Sequence, residues 1–320
     1  MSSQPPIRIG TRGSKLALAQ SGMMRDRIAA ELSRLGGAAD HAEEACPLVV
    51  ITTTGDRIQD RRLLEIGGKA LFTKEIEEAL LDGRIDAAIH SMKDVPAENP
   101  PGLVIAAIPE REDPRDAFVS THYGSIAELP KGAKLGTASL RRQAQALHVR
   151  PDLEIFMLRG NVDTRLARLA AGEADAILLA ASGLNRLGLG HVAKGFLDPI
   201  AAPPAPGQGA LAIQTRAGDA GAPWVAALRC DATTLTVAAE RGALVALEGS
   251  CRTAVGAHGR LDGRRLTLIV EALTPDGARR YRREGAVDLG VDAEGDARDL
   301  GLRLGDAVRI EGGADILLKD

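Results

Sequence analysis

The strongest constraint on the fold is an alternation of apolar, strand-like segments with amphipathic helical segments along residues 7–181. The first strand pattern, at 7–11, precedes a helical pattern that begins at Ser14 and ends at Gly36. Further strand patterns lie at 48–53, 87–90, 153–158 and 174–181, helical patterns lie at 73–81 and 162–171, and another helix is expected after Ser139. Because strands and helices alternate, the sequence predicts parallel sheets covered by helices on both faces.

Two proline-rich segments and a later change of pattern divide the chain. Residues 96–102 and 201–206 each interrupt the alternation. Beyond Trp224, a helical pattern at 233–247 precedes three strand patterns and a terminal helix. The strand patterns, at 254–260, 265–272 and 279–287, are separated by Asp-Gly turns. The sequence therefore predicts two α/β lobes and a small α+β C-terminal domain with a three-stranded antiparallel sheet.

Composition excludes several classes of function. The chain has 40 basic and 43 acidic residues, and this balance argues against a general nucleic-acid binder. An aromatic content of 2% argues against a base-stacking platform. No apolar stretch is long enough to cross a bilayer, and the first residues show no secretory-signal pattern. We therefore expect a cytoplasmic protein that binds neither membranes nor nucleic acids.

Polar and cationic residues follow several predicted strands, at turns that lead into helices. Ligands of open α/β sheets bind beyond the carboxyl ends of the strands, and helix N-termini attract anions. Singly, such residues are more typical of helix caps or solvated faces. Their recurrence at one kind of position predicts a cationic cleft for a polyanionic ligand. We also expect the turn of Arg141 to be exposed to solvent. The cations concerned are Arg12, Lys93, Arg141, Arg142, Arg159 and Arg165.

Asp94 and Cys251 each leave two interpretations open. Asp94 follows Lys93, so it either pairs with a neighbouring cation or stabilises a cation that forms during a reaction. Cys251 lies in a turn of small residues beside Arg252, so it is either a buried apolar side chain or an exposed thiol suited to covalent attachment.

The other candidate residues favour structural roles. His90 has no spaced partner, which favours a hydrogen-bonded core histidine over a metal ligand. Cys46 and Cys230 are interpreted as structural residues. The three cysteines are too few and too scattered to predict a disulfide framework or a zinc site. We therefore predict no bound metal.

Several segments, taken in order, resemble the porphobilinogen deaminase (hydroxymethylbilane synthase) family over nearly the whole chain. They include TRGSKLALAQ (11–20), DAAIHSMKDVP (86–96), GTASLRRQAQ (136–145), LRGNVDTRL (158–166), PAPGQGALAI (204–213) and EGSCRTAVGA (248–257). The resemblance implies two lobes similar to those of type II periplasmic binding proteins, with a cofactor domain third. In that fold the chain returns to the first lobe. The implied domains are 5–109 with 209–228, then 110–208, then 229–320.

The resemblance also implies a reaction. The family is a transferase of porphyrin and heme biosynthesis that joins four porphobilinogen molecules head to tail, releases ammonia at each step and forms the linear tetrapyrrole hydroxymethylbilane. Its primer is a dipyrromethane cofactor held by a thioether, and the matching cysteine is Cys251. Asp94 matches the catalytic aspartate, which stabilises the azafulvene cation left when ammonia departs.

Carboxylate-binding residues follow from the same resemblance, since each pyrrole carries an acetate and a propionate. The matching positions that bind the cofactor are Lys93, Thr137, Ser139, Arg141 and Arg142. Those that bind substrate are Arg12, Ser14, Arg159, Arg165 and Arg186. Lys93 is interpreted as a residue that binds a carboxylate rather than as a Schiff-base nucleophile. Separately, we expect the protein to be a monomer.

Two other classes of protein compete with this interpretation. A non-enzymatic, two-lobed anion-binding protein explains the lobes and the cations, but not the Cys251 turn or a third domain. A transferase acting on phosphorylated sugars is disfavoured because the sequence has neither a phosphate loop nor clustered metal-binding carboxylates. The segment Gly207–Gly209 also lacks the context of a dinucleotide-binding loop.

Overall fold

The computed structural model describes residues 5–36, 41–57, 71–247 and 253–316. Of these, residues 5–57, 71–111 and 210–234 belong to one compact unit, and residues 112–209 and 235–316 to a second. The residues predicted as domains 2 and 3 thus fall almost entirely in one unit. The division into three domains stays a prediction.

Strands and α-helices, each numbered from the N-terminus, make up most of the described chain. The strands are β1 (Ile9–Thr11), β2 (Leu48–Val50), β3 (Ala87–Ser91), β4 (Leu103–Ala107), β5 (Asp116–Ser120), β6 (Lys134–Thr137), β7 (Glu154–Met157), β8 (Ala176–Ala180), β9 (Gly195–Phe196), β10 (Leu211–Arg216), β11 (Ala254–Asp262), β12 (Arg265–Leu273) and β13 (Arg280–Asp288). The α-helices are α1 (Lys15–Arg34), α2 (Ala42–Ala45), α3 (Thr54–Arg57), α4 (Lys74–Leu81), α5 (Leu140–Val149), α6 (Val162–Ala170), α7 (Ala181–Arg186), α8 (Pro223–Ala226), α9 (Asp231–Ala246) and α10 (Ala293–Gly312).

The first unit contains a five-stranded sheet in the order β2-β1-β3-β10-β4. Strands β1, β2 and β3 are parallel, whereas β10 is antiparallel to both of its neighbours. The prediction of parallel strands is therefore confirmed for β1, β2 and β3, whereas β10 is a further strand that runs the other way. The reason is that β10 joins the sheet only after residues 112–209, so no local strand-helix-strand crossover imposes a parallel direction on it.

The second unit contains a five-stranded sheet of the same pattern, in the order β7-β6-β8-β5-β9. Here β6, β7 and β8 are parallel, and β5 is antiparallel to β8 and β9. Both sheets thus place three parallel strands beside one strand that runs the other way. The prediction of two α/β lobes is confirmed.

The C-terminal part of the second unit is an antiparallel meander of β11, β12 and β13. One buried cluster joins its apolar side chains to those of α9 and α10, including Val270, Leu300 and Val308. The two helices approach closely, because a Cβ added to Gly301 would lie 2.0 Å from the Ala239 carbonyl oxygen. The predicted three-stranded antiparallel sheet with its packed helices is confirmed for this part of the chain.

Helix α1 shows how local sequence determines one element. The Ser14 hydroxyl accepts a hydrogen bond from the Ala17 backbone N–H at 3.3 Å and so caps the helix. Met24, Ile28 and Leu32, at helical spacing, are buried in the core of the first unit. No helix in the described part of the chain is long and apolar enough to cross a membrane.

Candidate functional site

The carboxyl ends of three parallel strands meet at one edge of the first sheet. Arg12 follows β1, and the turn of Lys93 and Asp94 follows β3, which pairs directly with β1. Asp56 follows β2 on the other side of β1. Topology therefore brings the predicted residues of this unit to the same edge, as expected for a ligand site in an open sheet.

The turn of Asp94 is anchored by its flanking apolar residues. The Met92 backbone N–H donates to the Ala210 carbonyl at 3.0 Å, and the side chains of Met92 and Val95 are buried. Lys93 and Asp94 between them are exposed. Asp94 forms no ion pair with any residue that the structure describes. A fixed backbone thus presents an exposed carboxylate, and the ion-pair interpretation finds no support.

Arg12 is held between a carboxylate and an aromatic ring that the sequence did not reveal. Its Nε donates to Asp56 Oδ1 at 3.1 Å, and its Nη2 pairs with the same carboxylate. Its guanidinium carbon lies 4.2 Å from the centre of the Phe72 ring. Burial by itself would raise the pKa of Asp56, but hydrogen bonds from Arg12 and Thr53 outweigh it and lower that pKa. Arg12 is therefore a pre-oriented cation.

The hydroxyl groups predicted to bind ligands also have local structural roles. Ser14 caps α1, and the Ser139 hydroxyl caps α5 by accepting the Arg142 N–H at 3.4 Å. The Thr137 hydroxyl accepts the Ser139 N–H at 3.1 Å. Because these bonds use hydroxyl oxygens as acceptors, each hydroxyl hydrogen is still available to donate.

Arg141 and Arg142 are buried, so the prediction that their turn is exposed is wrong. Their side chains are 5% and 7% exposed, and both pair with Asp116, which is fully buried in β5. Arg141 Nη1 lies 2.7 Å from Asp116 Oδ2, and Arg142 Nη2 lies 2.8 Å from Oδ1. The physical reason is this distant carboxylate, which makes burial of the two cations possible.

The surroundings of Asp116 keep it ionised. Burial would raise its pKa, but the charges of Arg141 and Arg142 and a hydrogen bond from Gln208 hold the pKa well below the usual range. Burial lowers the pKa of Arg142 in spite of the attraction of Asp116. Two cations share one carboxylate here, so the cluster carries a net positive charge.

Arg159 and Arg165 add cations with no carboxylate partner among the described residues. Arg165 Nε donates to the Gly160 carbonyl at 2.8 Å, and burial together with the charges of Arg142 and Arg159 lowers its pKa to about 10. Arg159 has a buried Nη1 that finds no hydrogen-bond acceptor in the described part of the chain. An uncompensated group of cations with an unpaired buried donor is suited to binding an anion.

Arg186 shows the same feature at the end of α7. Its Nη2 donates to the Gly209 carbonyl at 2.6 Å, and burial lowers the pKa of its guanidinium despite the nearby Glu112 charge. Its buried Nε has no acceptor among the described residues. Arg165 thus lies within electrostatic reach of both Arg142 and Arg159, and Arg186 belongs to the same unit.

Sequence reasoning missed Asp116, Gln208, Asp56 and Phe72. A signal existed for Asp116, since a carboxylate that opens an apolar strand needs a buried partner. Arg12 gave no such signal for Asp56, because 44 residues separate the two.

The outcomes for the cysteines and His90 differ. Cys251 lies in 248–252, outside the described residues. Cys46 is buried, and burial raises the pKa of its thiol to about 11.

His90 is buried, its Nε2 lies 3.1 Å from Gln214 Oε1, and burial lowers its pKa to about 4. The prediction of a hydrogen-bonded core histidine is confirmed. Within the ranges that the structure describes, no three His, Cys, Asp or Glu residues are grouped to hold a metal ion.

Comparison with known proteins gives full-length matches. A family profile described as "Porphobilinogen deaminase, dipyromethane cofactor binding domain" matches residues 7–222, and "Porphobilinogen deaminase, C-terminal domain" matches 234–309. Porphobilinogen deaminase of Caulobacter vibrioides (strain NA1000 / CB15N) is 70% identical, with all of both chains covered. The porphobilinogen deaminases of Caulobacter sp. (strain K31) and Phenylobacterium zucineum (strain HLK1) are 71% and 65% identical, covering 99% of this chain and 100% of theirs.

Solved structures give weaker matches. A putative methionine-binding lipoprotein from Bacillus subtilis has a TM-score of 0.43 at 14% identity, over 70% of this chain and 88% of its own. A nutrient binding protein from Burkholderia cenocepacia bound to methionine has a TM-score of 0.42 at 17% identity, over 69% and 89%.

Proposed function

Because the chain belongs to the porphobilinogen deaminase family, we propose that Asp94 is its catalytic carboxylate and that the cationic strand ends bind the carboxylates of its substrate and cofactor. The chain condenses four porphobilinogen molecules head to tail, with release of ammonia, to give hydroxymethylbilane for porphyrin and heme biosynthesis. We assign this enzyme to the transferases, since a pyrrolylmethyl group passes from ammonia to the growing chain.

The observation that carries the proposal is the uncompensated charge of Arg159 and Arg165. Neither has a carboxylate partner among the described residues, and the charge of Arg159 helps to lower the pKa of Arg165. Porphobilinogen brings an acetate and a propionate, which are the acceptors that a guanidinium binds best. We assign Arg12, Ser14 and Arg186 to the same task of binding substrate carboxylates.

The described residues of the second unit fit a dipyrromethane cofactor. Its two pyrroles carry four carboxylates, and Arg141 has a buried Nε with no acceptor in the described part of the chain. The cofactor-binding residues that we propose are Lys93, Thr137, Ser139, Arg141 and Arg142. We further propose attachment through a thioether to Cys251. When bound, the cofactor supplies the nucleophilic pyrrole carbon to which the first substrate is joined.

Asp94 has the chemistry that the reaction requires. Loss of ammonia from an aminomethylpyrrole leaves a cation whose charge is shared by the ring nitrogen. A fixed carboxylate that accepts the pyrrole N–H stabilises this charge, and it can take up the proton lost after the carbon–carbon bond forms. The anchored turn of Met92 and Val95 supplies the fixed position.

We also propose that the protein works as a cytoplasmic monomer and binds no nucleic acid. The formal net charge of −3 supports the last of these points, because it gives no general attraction for phosphate backbones.

The proposal is tested by incubating the purified protein with porphobilinogen while ammonia and linear tetrapyrrole are measured together. We expect four ammonia molecules per tetrapyrrole. The competing anion-binding class predicts that porphobilinogen binds but releases no ammonia. That result in a cofactor-loaded preparation would contradict the proposed function.

A further inference from the structure

A second buried carboxylate, Glu271 in β12, lies where the C-terminal sheet meets helix α5 within the second unit. Helix α5 carries Arg141 and Arg142 and packs against β11 and β12. Ala144 of α5 shares a small buried cluster with Ala254 and Leu273. The arginine helix is therefore held directly by the sheet of the C-terminal part.

The two oxygens of Glu271 have separate partners. Oε1 accepts a hydrogen bond from Gln145 Nε2 at 2.7 Å. Oε2 accepts a hydrogen bond from Arg280 Nε at 2.8 Å and forms an ion pair with Arg280 Nη2 at 2.6 Å. The Glu271 side chain is 1% exposed, so it depends on these partners for stability as a buried carboxylate.

Glu271 and Arg141 together determine the orientation of the Gln145 amide. An ionised carboxylate only accepts hydrogen bonds and a guanidinium only donates them. The Gln145 amide must therefore turn its NH2 group to Glu271 and its oxygen to Arg141, as observed, with Arg141 Nη1 2.8 Å from Gln145 Oε1. The NH2 group also donates to the Pro203 carbonyl at 2.8 Å.

A continuous polar chain results, from Arg142 through Asp116, Arg141 and Gln145 to Glu271. Every member is less than one-tenth exposed. Arg141 is fixed at Nη1 by Asp116, Gln145 and the Pro203 carbonyl, while its buried Nε has no acceptor among the described residues. The guanidinium is thus held from one side and leaves a donor for a further anion.

We propose that Glu271 is a positioning residue that acts through Gln145 to hold Arg141 ready for a carboxylate of the cofactor. The inference rests on the cofactor-binding role proposed for Arg141. It adds a role for a residue of the C-terminal sheet, which is separated from Arg141 by 130 positions and does not contact it through any described hydrogen bond.

Three variants and a control test the inference. Glu271→Leu removes both acceptor oxygens at similar volume, and Glu271→Gln keeps one. Gln145→Met breaks the same chain without disturbing the Glu271–Arg280 pair. The control is Glu284→Gln, which removes a carboxylate from the neighbouring strand β13, where the side chain is 55% exposed.

Two quantities are measured for each variant: the rate at which apoprotein gains the mass of the cofactor when supplied with porphobilinogen, and KM and kcat of the loaded enzyme. We expect Glu271→Leu and Gln145→Met to slow cofactor gain and to raise KM about tenfold, because each breaks a charge-assisted chain of hydrogen bonds. The kcat of both variants should stay within about twofold of the wild-type value. Glu271→Gln should fall between Glu271→Leu and the wild type, and Glu284→Gln should match the wild type.

A lowered melting temperature with wild-type cofactor gain and wild-type KM in Glu271→Leu would overturn the inference and leave Glu271 a structural residue. If Glu271→Leu does not fold, Gln145→Met decides: a raised KM supports the inference, and a wild-type KM overturns it. Failure of the wild-type protein itself to consume porphobilinogen would instead overturn the proposed function, and the inference with it.

Discussion

The Asp116 carboxylate meets the Arg142 guanidinium side-on: Oδ1 accepts hydrogen bonds from Nε at 3.0 Å and from Nη2 at 2.8 Å. Its other oxygen accepts from Arg141 Nη1 at 2.7 Å. One buried carboxylate therefore compensates two buried cations that come from helix α5 but belong to the proposed cofactor site. Stability and ligand binding depend on the same group.

Asp116→Asn should destabilise the protein by about 3–5 kcal/mol at pH 7, because two buried cations lose their shared carboxylate. The pKa of Asp116 is depressed in the folded state, so its contribution is full above the unfolded pKa of about 4 and is lost as pH falls further. Urea unfolding of both proteins at several pH values should show the difference narrowing below about pH 4. A difference that stays constant down to pH 3 would contradict this role of Asp116.

Arg165→Gln should weaken substrate binding without weakening the fold. The substitution removes a cation that Arg142 and Arg159 repel, so we expect an unchanged or slightly raised free energy of unfolding. KM for porphobilinogen should rise about tenfold or more, since a charge-assisted contact is lost. The matched control is Arg168→Gln on the same helix, where the guanidinium pairs with Glu173 at 2.7 Å. Equal effects on KM at both positions would remove Arg165 from the binding residues.

Asp94→Ala should reduce kcat by about 100-fold or more, the scale of a lost electrostatic group at a reacting centre. Because Asp94 is exposed, the melting temperature of the variant should stay close to that of the wild type. Asp82→Ala serves as the control, since Asp82 is also an exposed aspartate of the first unit, beside Arg84. Steady-state kinetics and thermal unfolding of both variants decide the matter, and wild-type turnover in Asp94→Ala would exclude Asp94 from the mechanism.

Elements governed by local sequence were predicted well, and those governed by distant partners were not. Helix α1 follows from its Ser14 cap and its periodic apolar residues, all within one segment. Strand β10 enters its sheet after about a hundred intervening residues, so no local pattern encodes its direction. The burial of Arg141 depends on Asp116, 25 positions away, so the local sequence alone favours an exposed turn.

The proposed binding residues show the same limit. The sequence indicates that cations follow strand ends, because parallel strands share one edge. It does not show which of those cations already have a carboxylate partner. Arg12 has Asp56, whereas Arg159 and Arg165 have none among the described residues, and only the structure distinguishes them.

Two helical glycines should respond to alanine with opposite signs. Gly301→Ala should destabilise by about 1–3 kcal/mol, because its Cβ would lie 2.0 Å from the Ala239 carbonyl oxygen, between α9 and α10. Gly22→Ala, in α1, meets no atom within 4 Å and should stabilise by about 0.5–1 kcal/mol. Urea unfolding of both variants checks the pair. Similar stabilities would contradict the close packing of α9 against α10.

The most direct test of the central claim is the intact mass of the purified wild-type protein beside that of Cys251→Ser, each measured before and after incubation with porphobilinogen. The proposed chemistry predicts an excess equal to two linked pyrrole units on the wild type and none on the variant. Bare polypeptide mass for the wild type even after incubation, or the same excess on both proteins, would contradict covalent attachment of the cofactor at Cys251.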